Sequence, residues 1–499
     1  MSARVSPPDG ALRILMVTAE LAPLAKVGGL GDMTASLASA LAARGHDVRV
    51  VMPLYGDLDR TAHAVRPLRR MPPVALRVGQ ALRPLQWHRQ GSGSAAVRIC
   101  LADNAELFGR AGVYVDAQGR PFPDALARAA FLAQAALSLP VQFGWTPHIV
   151  HAHDVHAALA VVYLRRWGAT ARPLAGTGGL LTIHNLAHQL ETPRAQLDVI
   201  GLPPALAEYP GALEYHGRLN VMKAGILEAD LVNTVSPTYA REVVADERSG
   251  CGLDGVLASR GADFVGILNG ADYVAWNPAR DPHLPARFDA ARPAGKAICR
   301  RELAREAGLA QSDGLLVGFV GRLVEQKGPQ LLVPLLDELA AAGLRLVVLA
   351  AGEERWRAAL AAAAARHPGR LAFFDRFDEA LAHRIYGGSD LFLMPSRYEP
   401  CGLAQLYALR YGAVPLVHAT GGLVDTVEDA ALPEGTGFVF REFTVKAFRR
   451  TIGRALALWR DQPAWEALRE RGMRRLFSWE TSAAAYEELY ARPRRRERK

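Results

Sequence analysis

A rhythm constrains this chain more than any other feature. A short apolar run rich in β-forming residues, a glycine-rich turn, a helix and a second apolar run follow one another from the start. The first round is a strand over 12–17, then Lys26-Val27-Gly28-Gly29-Leu30-Gly31-Asp32, a helix over 33–44 stopped by Gly45, and a strand over 48–53. Strands joined through crossover helices lie parallel and are covered on both faces. The rhythm returns with a strand ending at 149–151, a helix over 157–167, and strands over 180–183 and 231–235. A second series has a strand over 315–320, a turn over 321–328, a helix over 329–342 and a strand over 344–350. It closes with a strand over 391–394, a helix over 403–411 and a strand over 414–417. With 499 residues the chain exceeds one ordinary core, so two doubly wound α/β halves are expected. The boundary is expected in the Pro-, Asp- and Arg-rich stretch 276–293, which gives domains 1–278 and 279–476 and leaves a helical end, 477–491, and a basic tail, 492–499.

Composition excludes several classes. Half the residues are apolar and 22% are charged, a globular balance rather than a disordered one. No uninterrupted apolar run approaches the roughly 18 residues that span a bilayer, and the apolar stretch 14–17 is too short for a signal core, so a cytoplasmic protein with no membrane partner is expected. Cys100, Cys251, Cys299 and Cys401 form no CxxC pair, which reads as reduced thiols rather than a disulfide or zinc framework. Of the net charge of +9, the tail 492–499 supplies +5 from six basic residues and one Glu; this reads as a solvated end, with no nucleic-acid partner. Only six positions are Lys, and two of them, Lys26 and Lys327, stand beside glycine-rich turns, where a compact ammonium suits a phosphate.

In a doubly wound sheet the chemistry sits in loops after strands, and two such domains bind ligands in the cleft between them. Gly28, Gly29 and Gly31 let backbone approach a ligand at a helix N-terminus, and Lys26 adds a charge, so this turn is a candidate phosphate cradle. It matches neither GxGxxG nor a P-loop. His151-Ala152-His153-Asp154-Val155-His156 invites a metal reading, but the spacing carries His156 onto a new helix and no distant partner motif is evident, so no metal is expected. Asp154 is read either as a helix N-cap or as an acceptor for a sugar hydroxyl. His184, in Thr182-Ile183-His184-Asn185, ends a strand and is read equally as structural or functional. Arg322 and Lys327, five residues apart in one loop, are read either as ordinary charges of a solvated loop or as a fork and a point charge able to converge on one diphosphate and stabilise a leaving group without metal. In Ser396-Arg397-Tyr398-Glu399-Pro400-Cys401-Gly402-Leu403, Pro400 suits a first helical turn. That puts Glu399 at a helix mouth and leaves the amides of Cys401, Gly402 and Leu403 for sugar hydroxyls. Thr420-Gly421-Gly422 is a second glycine-rich turn before a helix and another candidate phosphate contact.

Taken together these motifs resemble the bacterial glycogen synthase and plant starch synthase family, nearly end to end. The resemblance is carried by Lys26-Val27-Gly28-Gly29-Leu30, His151-Ala152-His153-Asp154, Thr182-Ile183-His184-Asn185, Lys223-Ala224-Gly225-Ile226, Val235-Ser236-Pro237-Thr238, Leu268-Asn269-Gly270, Gly321-Arg322-Leu323 with Gln326-Lys327-Gly328, and Glu399-Pro400-Cys401-Gly402-Leu403. It implies a GT-B fold, two Rossmann-like domains with the final helix crossing back onto the first, which is the acceptor side. It implies transfer of glucose from ADP-glucose, with UDP-glucose as the rival donor, to the non-reducing end of an α-1,4-glucan with retention, and no cofactor. By resemblance Lys26, Arg322 and Lys327 hold donor phosphate, His184 lines the glucose site near its 6-hydroxyl, and Asp32, Asp154 and Asn269 line the reaction centre. Glu399 holds glucose hydroxyls or stabilises the oxocarbenium-like state, and Phe377 stacks on the donor base. The sequence departs from the family at Val155, where tryptophan is typical, and at His188 and Leu190. Two other classes compete: an NAD-dependent Rossmann oxidoreductase or epimerase, which the missing GxGxxG disfavours, and a catalytically silent glucan-binding relative.

Overall fold

The computed structural model describes residues 10–68, 74–91, 97–168 and 172–496. The chain forms two compact units: the first runs to Gly270 and takes back the segment from Trp479, and the second is Ala271–Ser478.

The first unit is built on a sheet whose parallel part reads Phe264–Gly266, Leu231–Thr234, Gly178–Ile183, Ile149–His153, Arg13–Val17, Asp47–Pro53 and Val97–Asp103 across its width. Beyond Val97–Asp103 the antiparallel strand Ala81–Gln90 extends it, paired with Val65–Pro67 and Val74–Val78. From Arg13–Val17 the chain winds to one side of the sheet, then crosses over and winds to the other from Ile149–His153. Loops that follow those two strands therefore leave from a topological switch point, where an open α/β sheet binds its ligands. The helix Ala125–Phe143 is long and apolar enough by composition to cross a membrane, but 67% of its most apolar window is buried inside this unit.

The second unit repeats the plan with an all-parallel sheet ordered Leu371–Phe374, Arg345–Gly352, Leu316–Leu323, Leu391–Met394, Val414–His418 and Phe438–Phe440. Its switch point lies between Leu316–Leu323 and Leu391–Met394. Both faces are covered, and the middles of the central strands are apolar on both sides. Val317, Phe319 and Val348 enter one core, while the intervening Leu316, Val347 and Leu349 enter the other.

Some elements differ from the sequence reading. The unit boundary falls at 270/271, eight residues before the one drawn from composition. Trp276 explains this: it stacks on His383 (3.7 Å between centroids) and on Tyr407 (4.1 Å), fastening residues 271–278 into the second unit. The last helix is Trp479–Arg496, and it packs on the first unit through a bidentate Arg44–Glu487 pair (2.7 Å for each bond) and an Asn233 Nδ2 bond to Tyr486 (3.0 Å). Of the basic tail, 492–496 continue this helix, and 497–499, like 1–9, lie outside the described residues. The helix expected over 329–342 is broken into Pro329–Leu332, Val333–Leu335 and Leu336–Ala341, because Pro334 has no N–H to continue the ladder.

Candidate active site

In the second unit the switch-point strands deliver Lys327 and Glu399 to each other. Lys327 Nζ lies 2.6 Å from Glu399 Oε2, and Ser396 Oγ donates to the same oxygen at 2.9 Å. Glu399 is only 5% exposed, so the pair is largely out of water. The helix expected over 403–411 runs Ala404–Arg410 with Leu403 as its N-cap, so Pro400 lies outside its first turn. Glu399 is therefore not stabilised by a helix mouth; a cation from the neighbouring loop and a hydroxyl from its own loop do that work. The strand expected to stop at 320 continues to Leu323, so Arg322 stands at a strand end, paired with Ala351, and donates to Gln326 Oε1 at 3.3 Å.

Two glycines let these loops close on one another. Gly328 has φ +76°, and a Cβ there would stand 1.9 Å from the Pro395 carbonyl oxygen. Gly421 has φ +45°, and a Cβ there would stand 2.0 Å from the Glu399 carbonyl oxygen. Gly422 N donates to that same oxygen at 3.1 Å, so the 420–422 turn packs directly on the Glu399 backbone. Buried Cys401 and Thr420 complete the collar. Phe377, after the strand Leu371–Phe374, is 80% exposed, an unusual position for a phenyl ring.

In the first unit the switch-point loops hold a second group. Lys26 Nζ pairs with Asp32 Oδ1 at 3.0 Å. The helix expected from Met33 begins at Gly29, which puts Gly29 and Asp32 in its first turn with Gly28 as the N-cap. Just before the helix, Val27 N and Gly28 N donate to Glu20 Oε2 at 2.7 and 2.9 Å. The other Glu20 oxygen accepts from the Tyr114 hydroxyl at 2.6 Å. A buried carboxylate thus takes the two amides that precede the helix. Glu20 and Tyr114 were not found from the sequence; a lone acid in the otherwise apolar run after the first strand was the available signal.

Asp154 stands at the N-cap position of Val155–Trp167 but makes no cap bond. Its Oδ1 accepts from the backbone N–H of His184 (2.9 Å) and of Asn185 (3.3 Å), tying two strand ends together. Its backbone, φ 61° and ψ 179°, lies in a region that only glycine adopts freely, at a cost of about 1–3 kcal/mol, and such strain gathers at functional sites. Burial pushes the Asp154 carboxyl up to about 7, against the two amides, with the Glu20 charge adding to the rise. Burial pulls His184 and His156 down to about 3, and His151 and His153 well below their ordinary range. Both nitrogens of His151 are engaged, with Tyr490 and Thr182, which removes it as a ligand. Among the described residues no group of three or more His, Cys, Asp or Glu is placed to hold a metal ion. Asn269 is buried, and its Oδ1 has no hydrogen-bond partner among the described residues.

The structure thus joins Lys327 with Glu399 and the 420–422 turn, and Asp154 with His184. Arg322, Phe377, Lys26 with Asp32, and Asn269 stand as separate contributions.

Two Rossmann-like units, each with polar side chains gathered at a switch point, are the architecture of the GT-B class of glycosyltransferases. The family model described as the starch synthase catalytic domain matches residues 13–259, and the model for glycosyl transferases group 1 matches 300–473. A glycogen synthase of Anaeromyxobacter sp. (strain Fw109-5) is 46% identical over 487 residues, covering 96% of this chain and 99% of that protein. Glycogen synthase 2 of Geobacter sulfurreducens is 43% identical over 485 residues, covering 96% and 98%. The solved catalytic domain of starch synthase IV from Arabidopsis thaliana, bound to ADP and acarbose, superposes with a TM-score of 0.90 at 32% identity, covering 97% of this chain and 99% of that one. The chain belongs to the glycogen synthase and starch synthase family.

Proposed function

We propose that the chain transfers glucose from ADP-glucose to the non-reducing end of an α-1,4-glucan, with retention at the anomeric carbon and release of ADP. The observation that carries the reading is the pair of half-buried Lys327 with buried Glu399 at the switch point of the second unit, with Arg322 at the adjoining strand end. A departing diphosphate develops negative charge, and fixed cations stabilise it without the cost of reorienting solvent. Lys327 and Arg322 supply that charge in this reading. Lys327 exchanges its Glu399 partner for phosphate oxygen as the donor binds, which leaves Glu399 to the glucose hydroxyls or to the oxocarbenium-like state. The collar of Cys401, Gly402, Leu403, Thr420 and Gly421 offers backbone to the sugar and phosphate, and Phe377 stacks on the base. In the first unit Lys26 contacts donor phosphate, Gly28 and Gly29 allow close approach, His184 serves the 6-hydroxyl, and Asp32, Asp154 and Asn269 line the reaction centre. The ADP and acarbose bound by the Arabidopsis relative support an adenine donor and a glucan acceptor. No metal is assigned, because side chains carry the charge compensation, and the enzyme is placed in the cytoplasm with its polymer.

The test is incorporation of labelled glucose into glycogen by the purified protein, with ADP-glucose and UDP-glucose in parallel and with a chelator present. Transfer from ADP-glucose that survives the chelator and yields α-anomeric product is expected. A preference for UDP-glucose, loss of activity with chelator, or no nucleotide release would overturn the corresponding part.

A further inference from the structure

Beneath Asp154 a line of buried polar side chains runs from the last helix to His184, and its hydrogen bonds can be followed one by one. Asn233 spends its Nδ2 on the Tyr486 hydroxyl (3.0 Å) and the Thr234 carbonyl (3.3 Å), so its Oδ1 accepts from Thr182 Oγ1 at 2.6 Å. With its proton given away, Thr182 accepts from His151 Nε2 at 2.6 Å. His151 then carries its proton on Nε2, and its Nδ1 accepts from the Tyr490 hydroxyl at 2.9 Å. That ring packs against His153, centroids 3.9 Å apart and tilted by 38°, and holds it in place. His153 Nδ1 lies 3.2 Å from His184 Nε2. His153 Nε2 is buried, with no hydrogen-bond partner among the described residues.

A buried N–H without an acceptor is costlier than a bare lone pair. The proton of neutral His153 therefore belongs on Nδ1, directed at His184. We propose that His153 is a positioning residue: it donates from Nδ1 to His184 Nε2, keeps the proton of His184 on Nδ1, and so makes His184 a hydrogen-bond donor toward the sugar. The link to sugar rests on the assignment of His184 to the glucose site; the tautomer itself does not. The nitrogen of an imidazole that is engaged behind decides what the other offers in front.

Protein labelled with 15N in its histidines provides the test, because two-bond proton–nitrogen couplings distinguish the tautomers directly. In the wild-type protein His184, identified by its loss in His184→Gln, is expected as the Nδ1–H form. His153→Asn places an amide N–H where Nδ1–H stood and is expected to keep that form; His153→Leu and His153→Gln are expected to release it to a mixture. Wild-type His184 protonated on Nε2, or an unchanged tautomer in a folded His153→Leu protein, would overturn the proposal, and the wild-type spectrum decides even where a variant fails to fold. In transfer assays His153→Leu is expected to lower kcat/KM for ADP-glucose about tenfold, the scale of one lost hydrogen bond, with His153→Asn within about twofold of wild type. If the tautomer shifts as described while kcat/KM holds, the proposal stands and the placing of His184 at the glucose is what fails.

Discussion

In the first unit the strand ends carry imidazoles that burial keeps uncharged and an Asp154 carboxyl raised to about 7, while in the second unit the corresponding position holds a formed ion pair, Lys327 on Glu399. The difference follows from what surrounds each group. His151, His153 and His184 lie on or just beyond parallel strands inside one core, and their ring nitrogens meet one another, Thr182 and Tyr490, all uncharged partners, so burial disfavours a charge on the rings. Lys327 and Glu399 come from loops that two glycines allow to touch, so each charge meets its opposite at once. The imidazole-lined strand ends of the first unit are suited to orienting neutral hydroxyls, and the Lys327–Glu399 loops of the second to receiving an anion, a task to which the first unit's Lys26 loop also contributes. Similar topology supports both, because the sheet fixes where loops emerge and leaves their chemistry open.

The sharpest way to break this comparison is a double-mutant cycle on the second unit. Lys327→Met and Glu399→Gln are each expected to lower kcat by roughly 10²–10³-fold, as removal of a preorganised charge does. Lys327→Met also leaves a buried carboxylate without its cation, at a cost of about 3 kcal/mol in urea unfolding. The double variant is expected to regain most of that stability and none of the transfer. Recovery of activity together with stability would mean the pair serves the fold alone.

A smaller effect tests the first unit. Asp154→Ala loses two backbone bonds and keeps the strained φ, whereas Asp154→Gly loses the same bonds and relaxes the backbone. Both are expected to lose transfer, and the glycine variant is expected to be the more stable by about 1 kcal/mol in denaturant titrations. Equal stability would show that the conformation at 154 carries no strain.

The smallest effect is pH dependence, and the two kinds of group give it opposite signs. His156 and His184 titrate near 3 in the folded chain and near 6.5 unfolded, so the unfolded chain binds the extra protons. Their contribution is complete above pH 6.5 and is lost as pH falls toward 3. Asp154 titrates near 7 folded and near 3.8 unfolded, so the folded chain holds the extra proton; its contribution is complete below pH 4 and is lost as pH rises to 7. Each group contributes a slope of at most about 1.4 kcal/mol per pH unit. Urea midpoints are expected to rise with pH between 4 and 6.5, since imidazoles outnumber the carboxyl. His156→Asn should flatten that rise and Asp154→Asn should steepen it. A midpoint that does not change with pH would remove the claim that this unit keeps its groups neutral.

Much of the architecture was legible because it depends on period and punctuation. Continuous apolar runs marked the parallel strands and glycine-rich turns marked the loops that carry Lys26, Lys327 and Gly421. Errors came where length was set by contacts: Arg322 was read into a loop that is still strand, because pairing with Arg345–Gly352 extends Leu316–Leu323. Glu399 was given a helix mouth on the strength of Pro400, while the helix waits until Ala404. Tyr114 escaped notice because nothing near it in the chain shows what it touches; its hydroxyl reaches an acid 94 residues earlier.

By itself the amino-acid order determined two doubly wound α/β units and the turns in which their polar residues stand, because hydrophobic periodicity and glycine placement act over a few residues at a time. Tertiary structure alone decided which charges meet, which amides are already taken and which imidazole nitrogen carries the proton. Those outcomes depend on burial and on partners distant in the chain, and a hydrogen bond or an ion pair forms only when folding brings both atoms within about 3 Å.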